Sequence, residues 1–192
     1  MNTNYEKIKA DLLAFGKKNG ACVGQYQRLY KADSIEEVIA VVKDNFWWCA
    51  KYRDFADVIM ANREQFSEHQ IWANQDVEIR EGVGYLVATE GEINAKSYDT
   101  STINAESYGT STINAESYGT STINAESYGT STINAESWRT STINATSYHT
   151  STMIIRTSTI ECKVKDQSIA RYVYENRIVV ADDSIKVEKA EE

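Results

Sequence analysis

Four glutamates recur at ten-residue spacing, Glu106, Glu116, Glu126 and Glu136, in a column that begins at Lys96 and ends at Thr146. Stacked carboxylates repel one another, a cost that a purely structural design avoids, so they suit an acidic surface shaped for a basic partner. Keeping the chain soluble is the plainer role for the same residues. The remaining inventory is poor in catalytic types. His69 and His149 are the only histidines and neither sits in a motif, and no Gly-rich phosphate loop or nucleophile elbow is present. Asp54 and Asp57 lie three apart and can share a helix face, where solvated charge is the ordinary reading. Cys22, Cys49 and Cys162 are far apart with no C-x-x-C pair, which predicts buried thiols in a reducing cytoplasm and no metal site. The expectation is a non-enzymatic protein with no catalytic residues and no cofactor.

The elements that position the glutamates belong to a ten-residue repeat running from about Glu92 to Cys162. Within one unit, alternation puts Ser101, Ile103, Ala105 and Ser107 on one face and Thr102, Asn104 and Glu106 on the other. The first face is small and apolar enough to go inside. Turns are predicted at Tyr98-Asp99, Tyr108-Gly109, Tyr118-Gly119, Tyr128-Gly129, Trp138-Arg139 and Tyr148-His149. One unit carries a single large aliphatic residue and cannot bury a core alone, whereas stacked units bury a continuous column of Ile and Ala. A short β-solenoid with about twenty residues per coil is expected. A ten-residue coil would be cramped, and a plain β-meander fits the same alternation.

The candidate partner-binding residues are the outward columns: Glu106, Glu116, Glu126 and Glu136, then Thr102, Thr112, Thr122 and Thr132, with Tyr108, Tyr118, Tyr128 and Trp138 at the turns. Tyr108-Gly109-Thr110-Ser111-Thr112 and its copies resemble the Y-G-S-T-x-T-A units of bacterial ice-nucleation proteins. That resemblance implies Thr-rich stacked β-solenoids with tyrosine ladders, although so few coils make an array too small for ice binding. The period is also similar to pentapeptide-repeat proteins, whose β-helices imitate DNA with acidic surfaces. The whole layout looks like helical-plus-solenoid proteins of unassigned function from gut bacteria or their phages.

Residues 1–70 read as a helical domain, 71–165 as the solenoid, and 166–192 as a C-terminal β cap with an acidic tail. Ile8, Leu12, Leu13 and Phe15 predict a first helix over about Tyr5 to Lys18, capped by Asn4 and stopped by Asn19-Gly20. Asp33-Ser34 starts a helix through Ile35, Val38, Ile39 and Val42, and the same period runs on from Phe46 to about Phe66. From about Gln70, Val77, Ile79, Val83, Tyr85 and Val87 alternate as strands do. The helical domain is expected to cap the first coil.

Charge separates the functional classes. Twenty-eight Asp and Glu against twenty Lys and Arg give a net charge of −8, which disfavours direct binding to a nucleic-acid backbone. The N-terminus has no apolar run for a signal peptide or a membrane span, so a soluble cytoplasmic protein with no membrane partner is expected. The leading expectation is an interaction protein whose partner is another protein. A DNA mimic of the phage anti-defence type and a self-associating structural solenoid are the alternatives.

Overall fold

The structure is a computed structural model that describes residues 3–156, 161–165, 168–173 and 177–180. The chain divides into two units, Met1–Ala73 and Asn74–Glu192.

In the first unit, helix α1 (Thr3–Lys18) is followed by α2 (Val23–Lys31) and α3 (Ile35–Asp44). Ile8, Leu12 and Phe15 on α1 pack with Val38, Ile39 and Val42 on α3 in a buried core, as their spacing requires. Helix α1 begins ahead of Asn4, so that residue lies within the first turn rather than capping it. Gly20 adopts φ 72°, where a side chain is strained, and it ends the turn after α1. Ser34 does cap α3, its Oγ accepting from the Glu37 N–H at 3.2 Å while the Asp33 N–H donates to the Glu37 carboxylate at 3.0 Å.

The apolar period from Phe46 to Phe66 is not one helix. It breaks into α4 (Phe46–Ala50), α5 (Arg53–Ala61) and α6 (Arg63–Glu68), before the short strand β1 (Ile71–Ala73). Tyr52 interrupts it with an extended backbone, φ −111° and ψ 120°. Asn62 interrupts it again because its buried amide is drawn into polar contacts: Nδ2 donates to Val58 O and Asp11 Oδ2, both at 2.9 Å, and Oδ1 accepts from Lys7 Nζ at 2.8 Å. Of Phe46-Trp47-Trp48, only Phe46 is fully buried.

The second unit holds β2 (Val77–Ile79), β3 (Val83–Ala88), β4 (Glu92–Ser97), β5 (Thr102–Ser107), β6 (Thr112–Ser117) and β7 (Thr122–Ser127). They continue as β8 (Thr132–Ser137), β9 (Thr142–Ser147), β10 (Thr152–Ile155), β11 (Glu161–Val164), β12 (Ile169–Tyr172) and β13 (Arg177–Val180). Successive strands fall on alternate sheets. The first sheet runs β3-β5-β7-β9-β11 and the second β2-β4-β6-β8-β10-β12-β13. From β4 to β10, each strand pairs in parallel with the one twenty residues on, Ile103 against Ile123 against Ile143 on one sheet and Ile113 against Ile133 on the other. This is a parallel β-solenoid of about four coils with about twenty residues each, not a meander. Five isoleucines, Ile103 to Ile143, are fully buried and form the two inner columns with alanines beside them.

Two ends depart from the regular stack. In β3 the apolar alternation faces the other way: register pairs Gly84, Leu86 and Ala88 with the inward Ile103, Ala105 and Ser107, leaving Val83, Tyr85 and Val87 on the outward side. At the other end β11 pairs Cys162 with Ala145 and Lys163 with Thr146, matching the inward–outward order expected of that segment. Strand β13 then runs antiparallel to β12 and terminates the parallel ladder. Ile160, Glu175-Asn176 and Asp182-Asp183 lie outside the described residues. Cys22 is exposed, unlike the expected buried thiol, because it precedes α2 at the unit's surface, whereas Cys49 is buried. The side chain of Cys162 lies outside the described residues.

Candidate interaction surface

The ninth residue of each repeat unit takes a positive φ, from 55° at Asp99 through 77° at Gly119 to 59° at His149, so the chain turns the same corner six times. Inside each corner two serines close the turn. Ser117 Oγ and Ser121 Oγ lie 2.9 Å apart, and Ser121 Oγ also reaches Tyr118 O at 2.7 Å and Ser97 O of the preceding coil at 2.8 Å. Buried hydroxyls are tolerated here because they are satisfied by the backbone of two coils. Outside the corner, Thr120, Thr130, Thr140 and Thr150 donate their Oγ1 hydroxyls to the ninth-residue carbonyl of the previous coil, at 2.8–2.9 Å. Those four hydroxyls are therefore engaged in the corner itself.

Between corners, the outward residues stand in rows of Thr, Asn and Glu. Their amides form ladders. On the first sheet Asn144 Nδ2 donates to Asn124 Oδ1 and Asn124 Nδ2 to Asn104 Oδ1, each at 2.9 Å. On the second sheet Asn134 donates to Asn114 at 2.8 Å, Asn114 to Asn94 at 3.1 Å, and Asn94 to Asp76 Oδ2 at 3.1 Å. Thr102, Thr112, Thr122 and Thr132 are half-buried beside them.

The aromatic column splits into two stacks, Tyr98–Tyr118–Trp138 with ring centroids 4.9 and 6.2 Å apart, and Tyr108–Tyr128–Tyr148 at 5.1 and 4.6 Å. A cation closes one end of each: the Arg80 guanidinium lies 4.7 Å from the Tyr98 ring centroid and Lys165 Nζ 4.8 Å from that of Tyr148. Trp138 is the most exposed member, at 47%.

The glutamates do not form one acidic column. Register pairs Glu106 with Glu126 on the first sheet and Glu116 with Glu136 on the second. Glu106 is buried, at 0% exposure, and so is Val87, its outward neighbour in register. That corrects the expectation that Glu106 faces a partner. Glu116, Glu126 and Glu136 are half-buried. Tyrosine hydroxyls two residues on hold the carboxylates: Tyr118 to Glu116 and Tyr128 to Glu126 at 2.5 Å, and Tyr108 to Glu106. This i, i+2 pairing is written in each Glu-x-Tyr triplet, and alternation arguments pass over it because they treat the turn tyrosine separately. Lys96 Nζ adds an ion pair to Glu116 at 3.1 Å.

These contacts set the proton affinities. Burial pushes the Glu116 carboxyl up, but hydrogen bonds from Tyr118 and Lys96 outweigh it and hold the group below its ordinary value. Its hydrogen bond to Glu116, then burial, raises the Tyr118 phenol, while burial first and the Glu126 hydrogen bond second raise Tyr128. Along the second sheet the sixth-position column reads Glu78, Lys96, Glu116, Glu136, Arg156, so the column carries both signs of charge, with Glu116 and Glu136 the one like-charged neighbouring pair. A mixed column of this kind does not resemble a phosphate track.

The other candidate groups stay apart. Asp54 accepts from Lys18 Nζ at 2.8 Å, and the hydrogen bonds from Lys18 and Asn19 outweigh burial and hold its carboxyl below the usual range. His69 follows α6, and His149 occupies a corner of the solenoid. No group of three or more His, Cys, Asp or Glu among the described residues could hold a metal ion. No helix of the described residues is long and apolar enough to cross a membrane. Fold and surface together define an α+β protein with a helical unit and a parallel β-solenoid of ladder type. Comparison with protein-family models, curated proteins and solved structures gave no match.

Proposed function

We propose that this chain is a non-enzymatic interaction protein, and that the outward face of the second sheet receives a protein partner. One observation carries the reading: the side chains of that face are held in place before any partner arrives. The Asp76–Asn94–Asn114–Asn134 ladder fixes the amides, and Tyr118 and Lys96 fix Glu116. Immobilised side chains bind without the usual loss of rotamer freedom, which makes a flat polar surface competent for recognition. The first sheet supports less of this, because Glu106 is buried on it. The mixed charge of the second-sheet column favours a partner of mixed charge over a strongly basic one.

The test is affinity capture from host lysate at low and high salt, with wild type beside two variants. Thr112→Arg with Thr132→Arg blocks the second-sheet face, and Thr122→Arg with Thr142→Arg blocks the first. A single partner, retained by wild type and the first-sheet variant but lost from the second-sheet variant, is the expected result. Equal retention by both variants refutes the assignment of the face. Salt-insensitive self-association in sedimentation, with nothing captured, refutes the partner and supports a structural solenoid.

A further inference from the structure

The helical unit contains a cavity of about 210 Å³ bounded by α1, α2, α3 and α4, which the solenoid reading leaves unused. Its walls are mainly apolar. Leu12 and Phe15 come from α1, Leu29 from α2, Val42 from α3 and Trp48 from α4, and all but Trp48 are buried side chains of the unit's core. The space is half open to solvent, with exposed Cys22 at its edge, so a small molecule can reach the apolar walls from outside. An apolar cavity of about 150 Å³ is enough to take benzene, so this one has room for a ring with a substituent or for two fused rings.

The lining fixes the chemistry of the guest. None of the lining residues is Asp, Glu, Lys, Arg or His, so a charged guest would lose its water without gaining a counter-charge. Phe15 and Trp48 meet edge to face, their ring centroids 5.8 Å apart, the arrangement that accommodates a further aromatic ring. Two amides supply a polar anchor. Asn45 Nδ2 donates to Gln25 Oε1 at 3.2 Å and to Val41 O at 2.7 Å, which orients both side chains and leaves Gln25 Nε2 and Asn45 Oδ1 to serve a guest. A mainly apolar cavity with a small number of oriented polar groups is the usual composition of a small-molecule site.

From this we propose that the helical unit binds a small neutral aromatic molecule in this cavity, its ring against Phe15 and Trp48 and its one polar group hydrogen-bonded to Gln25 or Asn45. Binding there does not depend on the partner assigned to the solenoid surface.

Equilibrium dialysis of the full chain against indole tests it, with indole-3-carboxylate as the charged control. Wild type is expected to take up one saturable equivalent of indole and to bind the carboxylate at least about tenfold more weakly, reflecting the uncompensated charge. Cys49→Leu and Val42→Phe, which grow into the cavity, are expected to lose indole while keeping the far-ultraviolet helix signal. Should either variant unfold, the wild-type thiol gives the decision, because Cys49 lines the same cavity. Indole at ten times its Kd should slow alkylation of Cys49, read by peptide mass spectrometry, by about tenfold. Absence of saturable uptake by wild type, equal binding of the carboxylate, unchanged binding in folded filled variants, or alkylation of Cys49 at the same rate with indole present would each overturn the proposal.

Discussion

Removing residues 110–129 deletes one whole coil, and the register states what should follow. Thr130 would succeed Gly109, so β8 would stack on β4 and β9 on β5. Each new contact repeats an old one in kind: Ile133 on Ile93, Asn134 on Asn94, Glu136 on Lys96, Ile143 on Ile103 and Tyr148 on Tyr108. Native domains hold about 0.05–0.15 kcal/mol per residue, so the twenty residues carry about 1–3 kcal/mol between them. The loss should appear as a lower urea midpoint and a smaller m-value for the solenoid, with a cooperative transition retained. Deleting only residues 110–114 gives the contrasting case. Five is odd, so the isoleucines and alanines that follow would turn outward and their threonines and asparagines inward, and the sheet would lose its core. Circular dichroism near 218 nm with urea titration compares the two. If the twenty-residue deletion abolishes the transition, or the five-residue deletion is equally stable, twenty-residue stacking is refuted.

Three other perturbations read the corner and the ladders. Gly119→Ala should cost about 1–2 kcal/mol, because φ is 77° and the new Cβ would stand 3.3 Å from Asp99 O, whereas Arg139→Gly, at φ 64°, should stabilise by roughly 0.5–1 kcal/mol; thermal midpoints moving the same way in both would refute the shared corner. Asn124→Ala removes the middle rung and its two amide hydrogen bonds, and should cost about 1–3 kcal/mol, roughly twice the cost of Asn144→Ala at the ladder's end; equal midpoints in urea would show that the amides do not cooperate. Tyr118, through its hydrogen bond to Glu116, and Tyr128, through burial and then its bond to Glu126, have folded pKa values raised above the ordinary 10.0, so the stability tied to their un-ionised phenols is present in full below pH 10 and is lost as pH rises through the folded values. Spectrophotometric titration of the folded chain should therefore leave these tyrosines un-ionised at pH 11 and release them on unfolding, and a single ordinary titration step for all twelve tyrosines would refute it.

Alternation alone placed the inner face of the repeat, because a small, singly apolar unit allows only one side to go inward, and Ile103, Ala105 and Ser107 leave no competing choice. The turns were equally legible from glycine at 109, 119 and 129. Two kinds of feature escaped. Glu106 is buried while Glu116, Glu126 and Glu136 are half-buried, and identical units give no sequence sign of that difference. The breaks at Tyr52 and Asn62 were hidden for the opposite reason: apolar spacing persists across both, and at Asn62 the interruption goes with a tertiary network through Lys7 and Asp11 that no local pattern encodes. The Asn ladders needed the twenty-residue coil to be certain first, since they bond residues twenty apart.

For the partner proposed above, a periodic surface poses a problem that only the irregular positions of the repeat resolve. If every coil presented the same Thr, Asn and Glu, a partner would bind equally well in several registers one coil apart, and the free energies of those registers would not differ. Specificity requires a position where the repeat changes. Changes occur at both ends: Lys96 and Asp99 stand where the repeat has Glu and Gly, while further on Trp138 replaces a tyrosine and is exposed, Arg139 replaces a glycine, Thr146 replaces a glutamate, and Ile154 and Arg156 follow where Asn and Glu would stand. Register brings Ile154 beside Asn134 and ends the second-sheet amide ladder there, so shape and polarity both change at that coil. A partner that uses the regular rows for area and these residues for register would lose specificity, rather than most of its affinity, in the variant with Trp138→Tyr, Ile154→Asn and Arg156→Glu. Crosslinking should then give several products one coil apart in place of one. A single unchanged crosslink in that variant would mean that register is set elsewhere.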